Sequence, residues 1–122
     1  MALRPFRVLV CGGRHYSDRA RVFAVLDDLA AQHGVLFVIE GGQRGADSLA
    51  RKWRHERLQP GETFYADWKR YGDPAGPIRN QKMLVDGQPD LVVAFPGHTG
   101  TANMVGKAHA FRVEVQEVPA HE

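Results

Sequence analysis

Asp90-Leu91-Val92-Val93-Ala94-Phe95 runs straight into Pro96-Gly97-His98-Thr99-Gly100-Thr101. The apolar run reads as a buried strand, the glycine-rich turn follows at once, and a new helical pattern begins at Thr101. A strand, a glycine turn and a helix start together make an anion site. The first amides of a helix lack intrahelical partners, and the macrodipole favours a negative guest. The same order recurs where 6–11 leads into Gly12-Gly13-Arg14, and where 35–40 leads into Gly41-Gly42-Gln43-Arg44-Gly45. Repeated in one small chain, the pattern points to a phosphate-bearing ligand.

Outward from that stretch, short apolar runs alternate with helical faces. Strands are expected over about 6–11, 35–40, 62–66, 91–95 and 113–118. Helices are expected over about 18–33, 46–57, 77–85 and 101–110. Ser17 is the expected N-cap of the first helix, Gly34 its stop, and Val22, Val25, Leu26 and Leu29 its apolar face. Leu49 and Trp53 should face inward from the second helix, and Pro77 suits the first turn of the third. The stretch 67–76 reads as irregular, and the end after Pro119 as frayed. Strictly alternating strands and helices predict an α/β, Rossmann-like open parallel sheet with helices on both faces. The expected strand order is 3-2-1-4-5. The first and fourth strands then meet at the switch point, outside whose carboxyl ends ligands bind.

The chain has 122 residues, enough for one domain with a real core, and a net charge of +2. That charge is too small to imply nucleic acid or membrane by itself. Positive charge nevertheless leans to the N-terminal half, through Arg14, Arg19, Arg21, Arg44, Arg51, Lys52, Arg54 and Arg57. Cys11 is the lone cysteine, so an internal disulfide and a cysteine metal cluster are excluded. The histidines show no metal-ligand spacing, and no signal peptide or bilayer-spanning run is visible. The expectation is a protein of a reducing cytoplasm with no membrane partner, no metal and no resident cofactor. Neither G-x-G-x-x-G nor a Walker-type loop occurs, so NAD and ATP-motor chemistry lack support.

Each singled-out residue carries two readings. The 96–101 loop is either an anion cradle or a tight turn without a ligand. Asp47 either complements a helix dipole or bonds a ribose hydroxyl and positions water. Arg14, Arg44 and Arg79 are either solvated charges or phosphate clamps. Asn80 can donate and accept at once. Trp68 either stacks on a base or edges the core, Met83 and Leu84 read as core, and His98 is either a site residue or a bystander. Cys11 reads as structural rather than nucleophilic.

With these residues in hand, the chain resembles the YspA-like branch of the SLOG superfamily. The likeness rests on Val8-Leu9-Val10-Cys11-Gly12-Gly13-Arg14, Gly41-Gly42-Gln43-Arg44-Gly45-Ala46-Asp47, Ala75-Gly76-Pro77-Ile78-Arg79-Asn80 and Phe95-Pro96-Gly97-His98-Thr99-Gly100-Thr101. It implies a Rossmann-like fold binding nucleotides or their derivatives, and commonly a homodimer. The superfamily includes LOG phosphoribohydrolases, which cut the base from a nucleoside 5′-monophosphate, and the DNA-uptake protein DprA. LOG enzymes carry Pro-Gly-Gly-x-Gly-Thr-x-x-Glu and an upstream helix Arg, which Arg79 matches. Here His98 replaces the middle Gly, and the closing Glu falls at Met104, beside Asn103. Methionine can neither stabilise an oxocarbenium-like transition state nor activate water.

The leading expectation is a nucleotide-binding protein. Its ligand set is Gly12, Gly13, Arg14, Gly42, Arg44, Gly45, Asn80, Pro96, Gly97, His98, Thr99, Gly100 and Thr101. A second reading is N-glycosidic hydrolysis of a nucleotide, with Arg79 and with Asp47 or Asp67 in place of the missing Glu. A third is single-stranded nucleic-acid binding through the arginine cluster, with Trp53 and Trp68 as stacking faces.

Overall fold

The computed structural model describes residues 4–120. Its elements are β1 (Phe6–Cys11), α1 (Arg19–His33), β2 (Leu36–Glu40), α2 (Ala46–Glu56), β3 (Gly61–Thr63), α3 (Trp68–Tyr71), α4 (Ala75–Val85), β4 (Leu91–Ala94), α5 (Thr99–Ala110) and β5 (Glu114–Glu117). The five strands form one parallel sheet in the order β3-β2-β1-β4-β5, as the alternating pattern requires. β1 pairs with β2 from Phe6↔Leu36 and with β4 from Val8↔Leu91, so the chain switches direction across β1.

Side-chain alternation along the strands divides the core. Val8, Val10, Val38 and Val93 face α1 and α2, where Leu26, Trp53 and Phe95 complete one cluster. Leu9, Cys11, Ile39 and Val92 face the other way and pack with Met83, Leu84 and Met104 of α4 and α5. The inward positions expected on α1 are buried at Val22, Leu26 and Leu29, while Val25 and Leu49 are partly buried against the same cluster. Gly34 stops α1 in the left-handed region, with φ 84°, and its amide donates to the Ala30 carbonyl at 2.8 Å.

Several boundaries differ from the sequence reading. Asp18, not Ser17, caps α1, because its carboxylate reaches the Arg21 amide at 3.0 Å. The irregular stretch contains a single helical turn, α3, capped by Asp67, whose Oδ1 accepts from the Arg70 amide at 3.1 Å. α4 begins at Ala75, so Pro77 is its third residue, still within the turn where a missing N–H costs nothing. β3 is shorter than expected, since the chain leaves the sheet edge after the Phe64 amide bonds the Glu40 carbonyl. α5 starts at Thr99 rather than at Thr101, which places Thr99 and Gly100 inside its first turn rather than before it. The end after Pro119 falls partly on 121–122, outside the described residues.

Candidate functional site

The carboxyl ends of β1 and β4 open into a cleft of about 780 Å³. Its floor is Val10, Cys11 and Met83, and its walls are the 12–16 loop, the first turns of α4 and α5, and Trp68 of α3. The first requirement for such a cleft is that three glycine loops lie against one another. The Gly13 amide donates to the Pro96 carbonyl at 2.8 Å, and the Gly13 carbonyl accepts from the Ala46 amide at 3.3 Å. A Cβ at Gly45, where φ is 81°, would collide with the Gly13 carbonyl, and one at Gly97 would collide with the Thr101 hydroxyl. These glycines are therefore explained by close loop packing before any ligand is invoked.

The loops differ in what they leave unpaired. In the second loop, Asp47 accepts from the Gly41 amide at 3.0 Å and the Gln43 amide at 3.3 Å, and Glu40 accepts from the Gly42 amide at 2.7 Å. Protein carboxylates thus occupy the anion positions of that loop. At α5 the reverse holds. His98 supplies no capping side chain, and among the described residues the amides of Thr99, Gly100 and Thr101 have no hydrogen-bond partner. Four such orphan donors are the rule at a helix start, and an anion satisfies them.

Arg79 reaches this region from the first turns of α4. Its Nε donates to Asn80 Oδ1 at 2.9 Å and its Nη1 to the Gly41 carbonyl at 2.6 Å. Among the described residues its Nη2 has no partner, and the side chain lines the cleft while 7% exposed. Asn80 donates in turn to the Gly100 carbonyl at 3.3 Å and to Asn103 Oδ1 at 3.1 Å, tying α4 to the open turn of α5. The guanidinium is thereby held by the Gly41 carbonyl, just after β2, and by Asn80 of α4, which is itself tied to α5.

Two acidic groups flank it. Asp47 is 5% exposed, and burial raises its pKa to about 7, assisted by Glu40 and opposed by the Gln43 amide, Arg79 and the Gly41 amide. Glu40 is fully buried and accepts from the Thr63 hydroxyl, with Arg51 Nη1 3.5 Å away. Burial also lowers the Arg79 pKa, against the pull of Asp47 and Glu40. The Cys11 thiol is pushed up to about 12, mainly by burial, and so stays a thiol.

Of the sequence-selected residues, Gly12, Gly13, Arg14, Asp47, Arg79, Asn80 and 96–101 line the cleft. Gly42, Arg44, Gly45 and Asp67 do not, and Asp67 is engaged as the α3 cap. His15, Tyr16, Gln43, Asp73, Gly76 and Asn103 line it without having been singled out for it. Glu40 was also missed, although a charge closing the apolar run 35–40 just before Gly41-Gly42 was a visible signal. Met104, at the position of the LOG glutamate, is fully buried in the α4–α5 core. Trp53 is 1% exposed, so the expectation of a second stacking face fails there. Part of the arginine cluster is also paired: Arg19 with Glu56 at 2.7 Å, Arg57 with Asp27 at 3.0 Å and Arg51 with Glu40.

Residues 6–71 match the family described as YspA, cpYpsA-related SLOG family. The Gene 61 protein of Mycobacterium phage D29 is 38% identical over 112 residues, spanning 87% of this chain and 86% of that protein.

The chain belongs to the YspA, cpYpsA-related SLOG family.

The fold of this SLOG protein is also that of DNA processing protein A (DprA) from Streptococcus pneumoniae. The two align with a TM-score of 0.76 at 17% identity, over 96% of this chain and 51% of that one. The SLOG chain thus spans about half of DprA. Among its described residues no helix is long and apolar enough to cross a membrane, and no group of His, Cys, Asp and Glu is arranged to hold a metal.

Proposed function

We propose that this SLOG protein binds a nucleotide or nucleotide derivative, with a phosphate seated on the first turn of α5 and clamped by Arg79. The observation that carries the reading is the coincidence, among the described residues, of three unpartnered amides at Thr99, Gly100 and Thr101 with a buried guanidinium whose Nη2 is also unpartnered. Arg14, exposed at the rim of the same cleft, would add a second positive charge. Gly12, Gly13 and Gly97 let the walls approach, and Asn80 holds the Arg79 head and the α5 turn together. In this reading the 41–47 stretch is support, and only Gln43 and Asp47 of it line the cleft. The setting we propose is cytoplasmic, and the assembly a homodimer of a single-domain chain.

Titration calorimetry with nucleoside mono-, di- and triphosphates tests this. Arg79→Lys combined with Thr101→Ala should weaken binding at least tenfold while the melting temperature stays within a few degrees. Unchanged affinity in that folded variant would remove the site.

A second reading is hydrolysis of the N-glycosidic bond, favoured by one observation: Asp47 is a buried carboxylate in the cleft whose pKa, about 7, suits proton transfer. Asp47→Asn should then abolish base release from nucleoside monophosphates without abolishing binding. A wild-type protein that releases no base from any of them would exclude it. Single-stranded DNA binding retains Trp68 and the exposed Arg14 and Arg44 as support, and requires affinity that falls steeply with salt.

A further inference from the structure

We infer that Trp68, resting on Gly76, is the platform on which an aromatic base stacks, and that it makes the site select a nucleoside phosphate over a bare sugar phosphate. This rests on the anion-binding reading above and adds the part of the ligand that reading leaves open.

The indole lies at the start of α3 and lines the same cleft as the open turn of α5. It is 52% exposed and is the largest side chain in the cleft wall, so its ring is available to a ligand. Its support is specific. Gly76, in the first turn of α4, is so close that a Cβ there would stand 3.3 Å from Trp68 Cη2. The ring edge therefore rests on a helix backbone, and α3 is fixed below it by the Asp67 cap and by the Gly72 amide, which donates to the Trp68 carbonyl at 2.9 Å. Gly72 ends that turn in the left-handed region, with φ 64°, and returns the chain so that the Ala75 amide bonds the Gly72 carbonyl at 2.9 Å. A four-residue helix with no buried side chain of its own is thus held at both ends, and the ring it presents is its one contribution to the cleft.

The indole N–H has no hydrogen-bond partner among the described residues, whereas that of Trp53 donates to Asp27 at 2.8 Å. The cleft is also the right size: about 780 Å³ exceeds what a ribose phosphate fills and lies in the range of sites that enclose drug-sized ligands. Gln43 and Asp47 line it as well and offer polar contacts to a sugar. An aromatic ring at one wall and an anion cradle at another match the two ends of a nucleoside phosphate.

Calorimetry on the full chain with the four common nucleoside 5′-monophosphates, ADP-ribose and ribose 5-phosphate tests the inference. The wild type should bind at least one base-bearing probe about tenfold or more tighter than ribose 5-phosphate, the gain expected from stacking on one aromatic ring. Trp68→Ala should erase that advantage and leave ribose 5-phosphate affinity unchanged, and Trp68→Phe should keep much of it. Equal affinity of the wild type for ribose 5-phosphate and every base-bearing probe would overturn the platform while leaving the anion site standing. So would an advantage that survives Trp68→Ala. Failure of all probes to bind would overturn the anion reading and the platform with it.

Discussion

The two tryptophans lie on helices of the same small chain and do opposite things. Trp53 on α2 is sealed under α1, its N–H given to Asp27, whose carboxylate also takes Arg57 at 3.0 and 3.1 Å. Trp68 on α3 stands half in solvent at the lip of the cleft, with its N–H unpartnered among the described residues. The regions around them differ in the same way. On the α1–α2 side, two long helices cover the sheet, and Arg19, Arg51 and Arg57 are paired with carboxylates. On the other side, α3 adds Trp68 to the wall of a cleft that stays open at the carboxyl ends of β1 and β4. Among the described residues, the first region pairs most of its arginines internally, though Arg54 Nε is buried without a partner, and the second leaves three amides and a guanidinium edge unpaired.

The largest test of that contrast is stability. Trp53→Ala should cost about 3–5 kcal/mol, as truncating a buried aromatic does. Trp68→Ala should cost less than about 1 kcal/mol, since half of the ring is already wet. Urea unfolding of both variants measures the difference, and equal losses would break the comparison.

The interlocked loops come next. Gly45→Ala places a Cβ against the Gly13 carbonyl at a φ of 81°, so it should cost about 2–4 kcal/mol and loosen the 12–14 wall of the cleft. A fully stable Gly45→Ala protein would mean that the loops are not locked as described.

Asp47 sharpens the contrast through pH. Its folded pKa, about 7, lies above the ordinary carboxylate value that it regains on unfolding. The folded state therefore holds the proton more tightly than the unfolded chain. The resulting stability is fully present below about pH 4 and is lost as pH rises through about 7. Asp47→Asn should flatten that slope and, above pH 7, raise stability on the order of 2 kcal/mol. Melting curves from pH 4 to 8 check it, and an unaltered slope would assign the pH response to another group.

The smallest effect on stability, and the most telling for function, is at Gly100. A Cβ there meets nothing within 4 Å among the described residues beyond its neighbours and its own helix backbone, so Gly100→Ala should be neutral or stabilising by about 0.5 kcal/mol. If a phosphate sits on that turn, the same methyl should weaken its binding severalfold. A variant that gains stability and keeps full affinity would move the anion elsewhere.

Most of the architecture was legible in the residues. Apolar runs such as 91–95 and helical faces such as Val22, Leu26 and Leu29 depend on local periodicity, and parallel order follows from the handedness of crossovers. Residues near the site could be found because glycine loops end the strands. Their roles could not be assigned, because a glycine that admits a phosphate and a glycine that admits a neighbouring carbonyl look the same in a chain.

The sequence by itself determined a five-strand α/β sheet with its glycine loops at one edge, since those features come from patterns within a few residues of one another. Only the tertiary structure decided which loop stays open. Glu40 and Asp47 reach back to the amides of Gly41, Gly42 and Gln43 and close that loop, while among the described residues no side chain reaches the amides of Thr99, Gly100 and Thr101. It also decided that Trp53 is core and Trp68 is rim, because burial depends on what α1 and α3 bring from elsewhere in the chain. Hydrogen bonds and burial are settled between distant segments, and local pattern carries no record of which partner arrives.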